Sequence, residues 1–331
     1  MKKCFVTKLN GVTKNDNLLR VGEMRLTYFR VSAPTSKTQS FSIKLSKETV
    51  LRIVGEGYFT DSTLSQNLGK EMTVPENILT DVYTSNGDYD IIIPNKYSLV
   101  QLKFYPSSGT NSYEDRSNKA ISISDFMGMK ELNYVSLSSP KVTGNIAALE
   151  SSLGLTYLNL YGTKVSGNIS VLQDKVALTY LSVPEVSGEI STLSKLSLLT
   201  YLNASGLSGD ISVFKEMQSL EQLSLACGDI YGDLALLSKK CYFASFIKNN
   251  PNRTFSWSSR PSEYNIIALE GPVKLGNVDK MLSEQAACVK AIPSGNQSWY
   301  RTISVSGERT SVSDSAVSTL QSKGYTISVN K

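Results

Sequence analysis

The chain has 331 residues, enough for about two domains, with 40% hydrophobic residues and 34 basic against 29 acidic groups. It contains no histidine, which removes Ser-His-Asp and Cys-His catalysis and almost every usual zinc site and argues against an enzyme. The charge is diffuse, with 16 basic and 12 acidic groups in 1–120, 8 and 11 in 121–240, and 10 and 6 in 241–331. That is no nucleic-acid footprint, and no stretch approaches the roughly 18 apolar residues that a membrane helix needs.

The start does not read as a secretory signal, because Lys8 breaks a short apolar run at Cys4-Phe5-Val6. The four cysteines (Cys4, Cys227, Cys241, Cys288) lack CxxC spacing and read as buried thiols of a reducing compartment. A Cys227–Cys241 disulfide is the less favoured alternative.

Residues 1–106 read as a β-sandwich. Phe41, Ile43 and Leu45 alternate with polar residues, as do Val100, Leu102 and Phe104, which marks half-buried strands. Asn86-Gly87 between segments 81–84 and 89–93 is a hairpin signal, and 24–31 and 50–54 are further strands. The Ser/Asn-rich stretch 107–119 reads as a linker.

A repeat follows. The phrase L-x-x-L-x-L, then small-Gly-[Asn/Asp/Glu]-[Ile/Leu], starts at Leu132, Leu155, Leu178, Leu199 and Leu220, spaced 23, 23, 21 and 21 residues apart. A fixed period of this size predicts a solenoid, which presents a surface more readily than it encloses a pocket. Its inward columns are the first, fourth and sixth positions of the phrase, then Val142, Val165, Val186, Leu207 and Ile230. The glycines at 144, 167, 188, 209 and 232 are placed where a Cβ would clash.

The spacing continues through Cys241, Ala244 and Phe246, then Tyr264, Ile267 and Leu269, with Gly276 in the place of the earlier glycines. Segment 248–261 is an irregular loop carrying Trp257. Helices are expected at 279–290 and 313–323, the latter with Ser313 as N-cap and Gly324 as stop. Final parallel strands are expected at 300–305 and 325–329. The solenoid is thus 120–290, and 291–331 is an α/β cap that shields its last turn.

The repeat resembles the leucine-rich-repeat family in its plant-receptor variant, L-x-x-L-x-L-x-x-N-x-L-x-G-x-I-P. Leu155, Leu158, Leu160, Val165, Gly167 and Ile169 fit position for position, and the match covers roughly 130–280. Pro140, Thr163 and Gly228 replace the family's Asn, and Ala147, Ser170, Ser191 and Ser212 replace its Pro. The resemblance implies a mainly β chain with a right-handed solenoid and one parallel sheet.

Two outward columns are candidate sites. The third position reads Tyr134, Tyr157, Tyr180, Tyr201, Gln222, Phe243, Ile266, beside a fifth position with Asn159 and Asn203 and a second position rich in Thr. Flat aromatics with hydroxyl and amide neighbours suit glycan or protein binding, although tyrosine and threonine also stabilise strands for their own sake. The column after the glycines, which includes Glu189, Asp210 and Asp233, is a weak Ca²⁺ candidate; a solvated edge is the favoured reading. No cofactor is expected.

The start MKKCFVTKLNGV, the stretch GEGYFTD at 55–61 and the Ser/Thr-rich repeats resemble leucine-rich-repeat proteins of gut Bacteroidales and their bacteriophages. That resemblance implies a virion component made in the host cytoplasm. The 1–106 unit would dock to other virion proteins, or to further copies in an oligomer, and the solenoid would face a host protein or glycan. The alternatives are a cytoplasmic bacterial scaffold and a glycan-cleaving tail-spike enzyme.

Overall fold

The computed structural model describes 24–30, 41–45, 49–55, 71–74, 77–80, 87–93, 97 and 99–104, mostly as backbone, and 121–226, 229–289 and 298–330. Cys4, Cys227 and the 107–119 segment lie outside these residues. Cys241 and Cys288 are buried free thiols.

The first strands fall into two antiparallel groups. One orders Met24–Arg30, Gly87–Ile93, Thr49–Gly55 and Glu71–Val74. Both edges of Gly87–Ile93 are occupied, by Met24–Arg30 and Thr49–Gly55. The 81–84 arm of the hairpin expected at Asn86-Gly87 lies outside the described residues. The other group sets Phe41–Leu45 between Asn77–Thr80 and Leu99–Phe104. Face-to-face packing of a sandwich rests on side chains outside the described residues.

Leu99–Phe104 does more than close the N-terminal unit. It pairs in parallel with Tyr134–Leu137, Gln101 opposite Tyr134 and Leu102 opposite Val135. One sheet therefore runs across the linker segment and on through every repeat. Its strands are Tyr134–Leu137, Tyr157–Asn159, Tyr180–Glu189, Tyr201–Asp210, Gln222–Leu225, Phe243–Ser245, Ala268–Glu270, Thr302–Ser306 and Thr326–Asn330. Each is parallel to the next.

Each of the five repeats then makes a bend and a short 3₁₀ helix before returning. The 3₁₀ helices begin at Ile146, Ile169, Ile190, Ile211 and Leu234, all buried. The leucine columns are buried throughout, so the core is one apolar rod that no single repeat closes alone. All five repeat glycines have positive φ, and a Cβ at Gly167 would stand 2.6 Å from Asn145 Oδ1.

The register beyond residue 246 differs from the spacing argument. Ala244 pairs with Leu269, and Phe243 with Ala268, two residues later than expected. Ile266 is therefore buried in the first-position column instead of facing outward. A two-residue slip keeps every side chain on its original face, so alternation alone could not detect it. Gly276, the glycine expected at the bend, has open space around it; Gly271, at φ +104°, stands instead at the strand end beside Phe246.

The end of the coil closes as a cap. Helix α1 is Val278–Ala287 and α2 is Asp314–Ser322, followed by Gly324 at φ +85°. Ser313 stands at the N-cap but makes no capping bond; its hydroxyl donates to Asp279 Oδ1 at 2.6 Å, and Thr310 Oγ1 donates to Oδ2 at 2.7 Å. These bonds hold the Asp279 carboxyl below the usual range. Trp257 is buried and donates to Glu284 Oε2 at 2.7 Å. Gln285 forms two bonds with the Ile267 backbone, accepting from its N–H at 2.7 Å and donating to its carbonyl at 3.1 Å.

One buried column contains two cations. Met129, Ser152, Lys175, Leu196, Met217, Ser238 and Arg260 succeed one another at the repeat spacing, all buried. Lys175 Nζ donates to the carbonyls of Glu150 (3.2 Å) and Ser152 (3.1 Å) in the preceding turn. Burial pushes its ammonium down to about 8 from an ordinary 10.5. Above that value the unfolded chain holds a proton that the folded chain has released, so stability rises with pH from about 8 toward 10.5. The buried Cys241 thiol, raised from 9.0 to about 11, acts in the opposite sense above 9. The comparison with Lys175→Met isolates the lysine. In urea melts, the parent should gain about 2 kcal/mol on the variant as pH rises from about 8 to about 10. A pH-independent difference would remove the lysine from this role.

Candidate binding face

The tyrosine column is a continuous stack. Ring centroids of Tyr134 and Tyr157, Tyr157 and Tyr180, and Tyr180 and Tyr201 are 4.3, 4.3 and 4.4 Å apart, with planes within 11° of parallel. All four rings are half-buried on the outward side of the sheet. Parallel pairing places equivalent positions of successive strands side by side, so identical residues at one position must stack. Burial between its neighbours raises the Tyr180 hydroxyl beyond the ordinary phenol range, and Tyr201 is raised for the same reason.

The flanking threonine column is committed to the sheet. Thr156 Oγ1 donates to Asn133 O at 3.0 Å, Thr179 to Thr156 O at 3.0 Å, and Thr200 to Thr179 O at 2.9 Å. Asn159 Oδ1 accepts the Tyr161 N–H at 3.0 Å within a turn, and Asn203 Nδ2 donates to Ser182 Oγ at 3.3 Å.

Phe243 is almost completely buried, because Tyr300 packs edge-on against it at 5.3 Å. Tyr300 also donates to Gln222 Oε1 at 3.2 Å, and Gln222 Nε2 donates to the Tyr242 hydroxyl. The short helix Ser298–Arg301 thus lays an aromatic residue across the face, beyond the point where Gln222 interrupts the tyrosines.

The acidic column is a set of helix caps. Asn145, Asn168, Asp210 and Asp233 each accept the backbone N–H two residues on, at 2.9, 2.9, 2.8 and 3.0 Å. These bonds satisfy orphan donors at the start of each 3₁₀ helix. Asp233 also accepts from Ser258 N at 3.1 Å, and Glu189 accepts from Ser208 Oγ at 3.0 Å. Among the described residues no three acidic or sulfur groups converge as metal ligands. The cap geometry accounts for Asp210 and Asp233; Glu189 stands at the same place without a capping bond.

One family feature escaped the spacing argument. Asn249 is buried, accepts the Ile230 N–H at 3.1 Å and donates to the Ile230 carbonyl at 3.0 Å. It stands eight residues after Cys241, where the family pattern has its asparagine, inside the segment read as irregular.

A chain that stacks parallel strands turn after turn over a rod of aligned leucines is a coiled repeat protein. The L-x-x-L-x-L columns, the glycine bends and the bonds of Asn249 to Ile230 give it the fold of a leucine-rich-repeat solenoid. No family model and no curated protein matches the chain. Among solved structures it is similar to the PEPR1-AtPEP1 complex, at 21% identity over 52% of this chain and 26% of that one, TM-score 0.38. It is also similar to the ectodomain of the plant receptor kinase GASSHO1/SCHENGEN3 from Arabidopsis thaliana, at 19% identity over 65% of this chain and 28% of that one, TM-score 0.41. An internalin (inlF) from Listeria monocytogenes matches at 14% identity over 72% of this chain and 85% of that one, TM-score 0.34. The chain spans about a quarter of the length of the two plant proteins. Among the described residues no helix is long and apolar enough to cross a membrane.

Proposed function

We propose that this chain is a non-enzymatic binding component of a bacteriophage particle, a head or tail appendage that displays its leucine-rich-repeat face to a host protein or glycan. The stacked face of Tyr134, Tyr157, Tyr180 and Tyr201 carries the reading. The threonine hydroxyls bond the sheet and Asp210 and Asp233 cap helices, whereas the tyrosine column presents a continuous stacked aromatic surface on the outward side of the sheet. The placement in a virion comes from the resemblance of the N-terminal stretch and repeats to phage and Bacteroidales proteins. The N-terminal strands dock to the particle, and copies assemble symmetrically.

The second reading is a cytoplasmic bacterial scaffold that uses the same face for a protein. A glycan-cleaving enzyme would need two carboxylates at one cleft. Asp210 and Asp233, in the stacked acidic column, accept backbone N–H groups.

Mass spectrometry of purified particles tests the placement: peptides of this chain should band with the particles. Their confinement to host cytosol would sink the virion reading and favour the scaffold. The face is tested by Tyr157→Ser combined with Tyr180→Ser. This variant loses about 2 kcal/mol of stacking and burial but keeps the leucine core. Particles carrying it should adsorb to the host about tenfold more slowly; unchanged adsorption would rule the tyrosines out as the contact.

A further inference from the structure

The tyrosine stack ends at Tyr201, and beyond it lies a cavity of about 300 Å³. Tyr201, Phe243 and Tyr300 supply aromatic walls, and Gln222, Ser245 and Glu270 supply polar groups. The volume is at the low end of ligand pockets, and suits one side chain better than a large molecule.

Two polar groups of the cavity wall bear on what it accepts. Ser245 is 1% exposed, yet its Oγ has no hydrogen-bond partner. Buried hydroxyls are rarely left so, because an unmade bond forfeits the full desolvation cost. The Glu270 carboxylate, set beside Ser245 by the strand register, has no ion pair among the described residues, and no lysine or arginine lines the cavity.

Gln222 cannot turn its amide to serve Ser245, since the hydroxyls of Tyr242 and Tyr300 hold it. One ring face of Tyr201 is covered by Tyr180 at 4.4 Å, so its other side looks toward the break in the stack. The cavity therefore combines electron-rich ring faces, an unpaired carboxylate and an orphaned hydroxyl oxygen.

We infer that this cavity binds the guanidinium of an arginine side chain presented by a protein partner. The planar cation continues the stack on Tyr201, where aromatic faces attract cations. Its forked N–H donors reach the Glu270 carboxylate and Ser245 Oγ, giving each the partner it lacks. A lysine ammonium has the charge without the plane, and a sugar ring leaves the carboxylate without a counter-charge. The inference rests on the binding-face reading and narrows it to a protein ligand.

The test titrates the full chain with N-acetyl-arginine amide, its neutral analogue N-acetyl-citrulline amide, N-acetyl-lysine amide and methyl glycosides, followed by NMR. Arginine should bind saturably, lysine more weakly, and citrulline and the glycosides not at all. Glu270→Gln should weaken arginine binding about tenfold while leaving the melting midpoint unchanged. Tyr201→Leu should weaken it comparably. Equal binding of citrulline, full retention in Glu270→Gln, a preference for a glycoside, or no saturable arginine binding would each overturn the assignment.

The Tyr157→Ser, Tyr180→Ser variant separates this from the face reading, because it leaves the cavity walls intact. If it adsorbs poorly while the parent ignores arginine, the face stands and the cavity assignment falls. If arginine binds and adsorption is indifferent to the tyrosines, the reverse holds.

Discussion

Replacing Arg260 with methionine should destabilise the chain by about 3 kcal/mol. Arg260 is 3% exposed and donates to five carbonyls: Nη1 to Ala235 O (3.2 Å) and Leu237 O (2.9 Å), Nη2 to Ser238 O (3.1 Å) and Cys241 O (3.5 Å), and Nε to Asn265 O (3.1 Å). Three of these carbonyls belong to the end of the Leu234–Leu236 helix and the residues just after it, where backbone acceptors have run out of helical donors.

A buried ion pair can often be exchanged for apolar residues at little cost, because both charges leave together. Arg260 has no carboxylate on its side chain to leave with it. Methionine fills the volume and relieves the desolvated cation, whose burial holds its pKa down, but removes the side-chain donor from these carbonyls, of which Ser238 O keeps the Cys241 N–H at 2.9 Å. At about 1 kcal/mol for each unsatisfied acceptor, the loss outweighs the relief. Urea denaturation of Arg260→Met against the parent measures this, and Arg260→Lys should recover less than half, since one ammonium cannot span the five oxygens. A variant within about 0.5 kcal/mol of the parent would show that water replaces the guanidinium at no cost.

The second large effect is Gly271→Ala, which should cost about 3 kcal/mol. At φ +104° the residue occupies backbone space that L-residues rarely adopt. An added Cβ would also lie 2.8 Å from Phe246 C and 2.9 Å from Ile247 N. Those atoms belong to the neighbouring strand's backbone and cannot rotate away. Gly276→Ala is the control. Nothing lies within 4 Å of its Cβ position, so the change should fall within about 0.5 kcal/mol of neutral. If the two alanine variants melt alike, the close approach at Gly271 is not what holds the last repeats in register.

Much of the coil was legible because a repeated column is its own cross-check: five leucines at one position outweigh any one ambiguous residue. The same logic located the glycine bends and the parallel strands. It failed where the signal is even-numbered. Between Phe246 and Ala268 the chain inserts an irregular path, and a two-residue slip leaves the inward and outward pattern intact, so Ile266 was placed where Ala268 stands. Glu270 was thereby missed as a face residue.

Hydropathy also hid Lys175 and Arg260, because a charged residue reads as exposed until its spacing from Met129, Leu196 and Met217 is counted. The caps were legible in principle. Asn145, Asn168, Asp210 and Asp233 each precede an apolar helix start, which is a stronger cue than stacked charge. Ser313 shows the converse, a residue of the right type at the right place whose hydroxyl was claimed by Asp279 from another element.

The tyrosine rings stand 4.3 to 4.4 Å apart, while neighbouring strands are spaced about 4.8 Å apart. Rings that sit closer together than the strands carrying them lean toward one another, as stones do in an arch. Flattening that part of the sheet would pull three ring pairs out of contact, and bending it further would drive them into overlap. Tyr134 to Tyr201 therefore brace four successive strands against flattening.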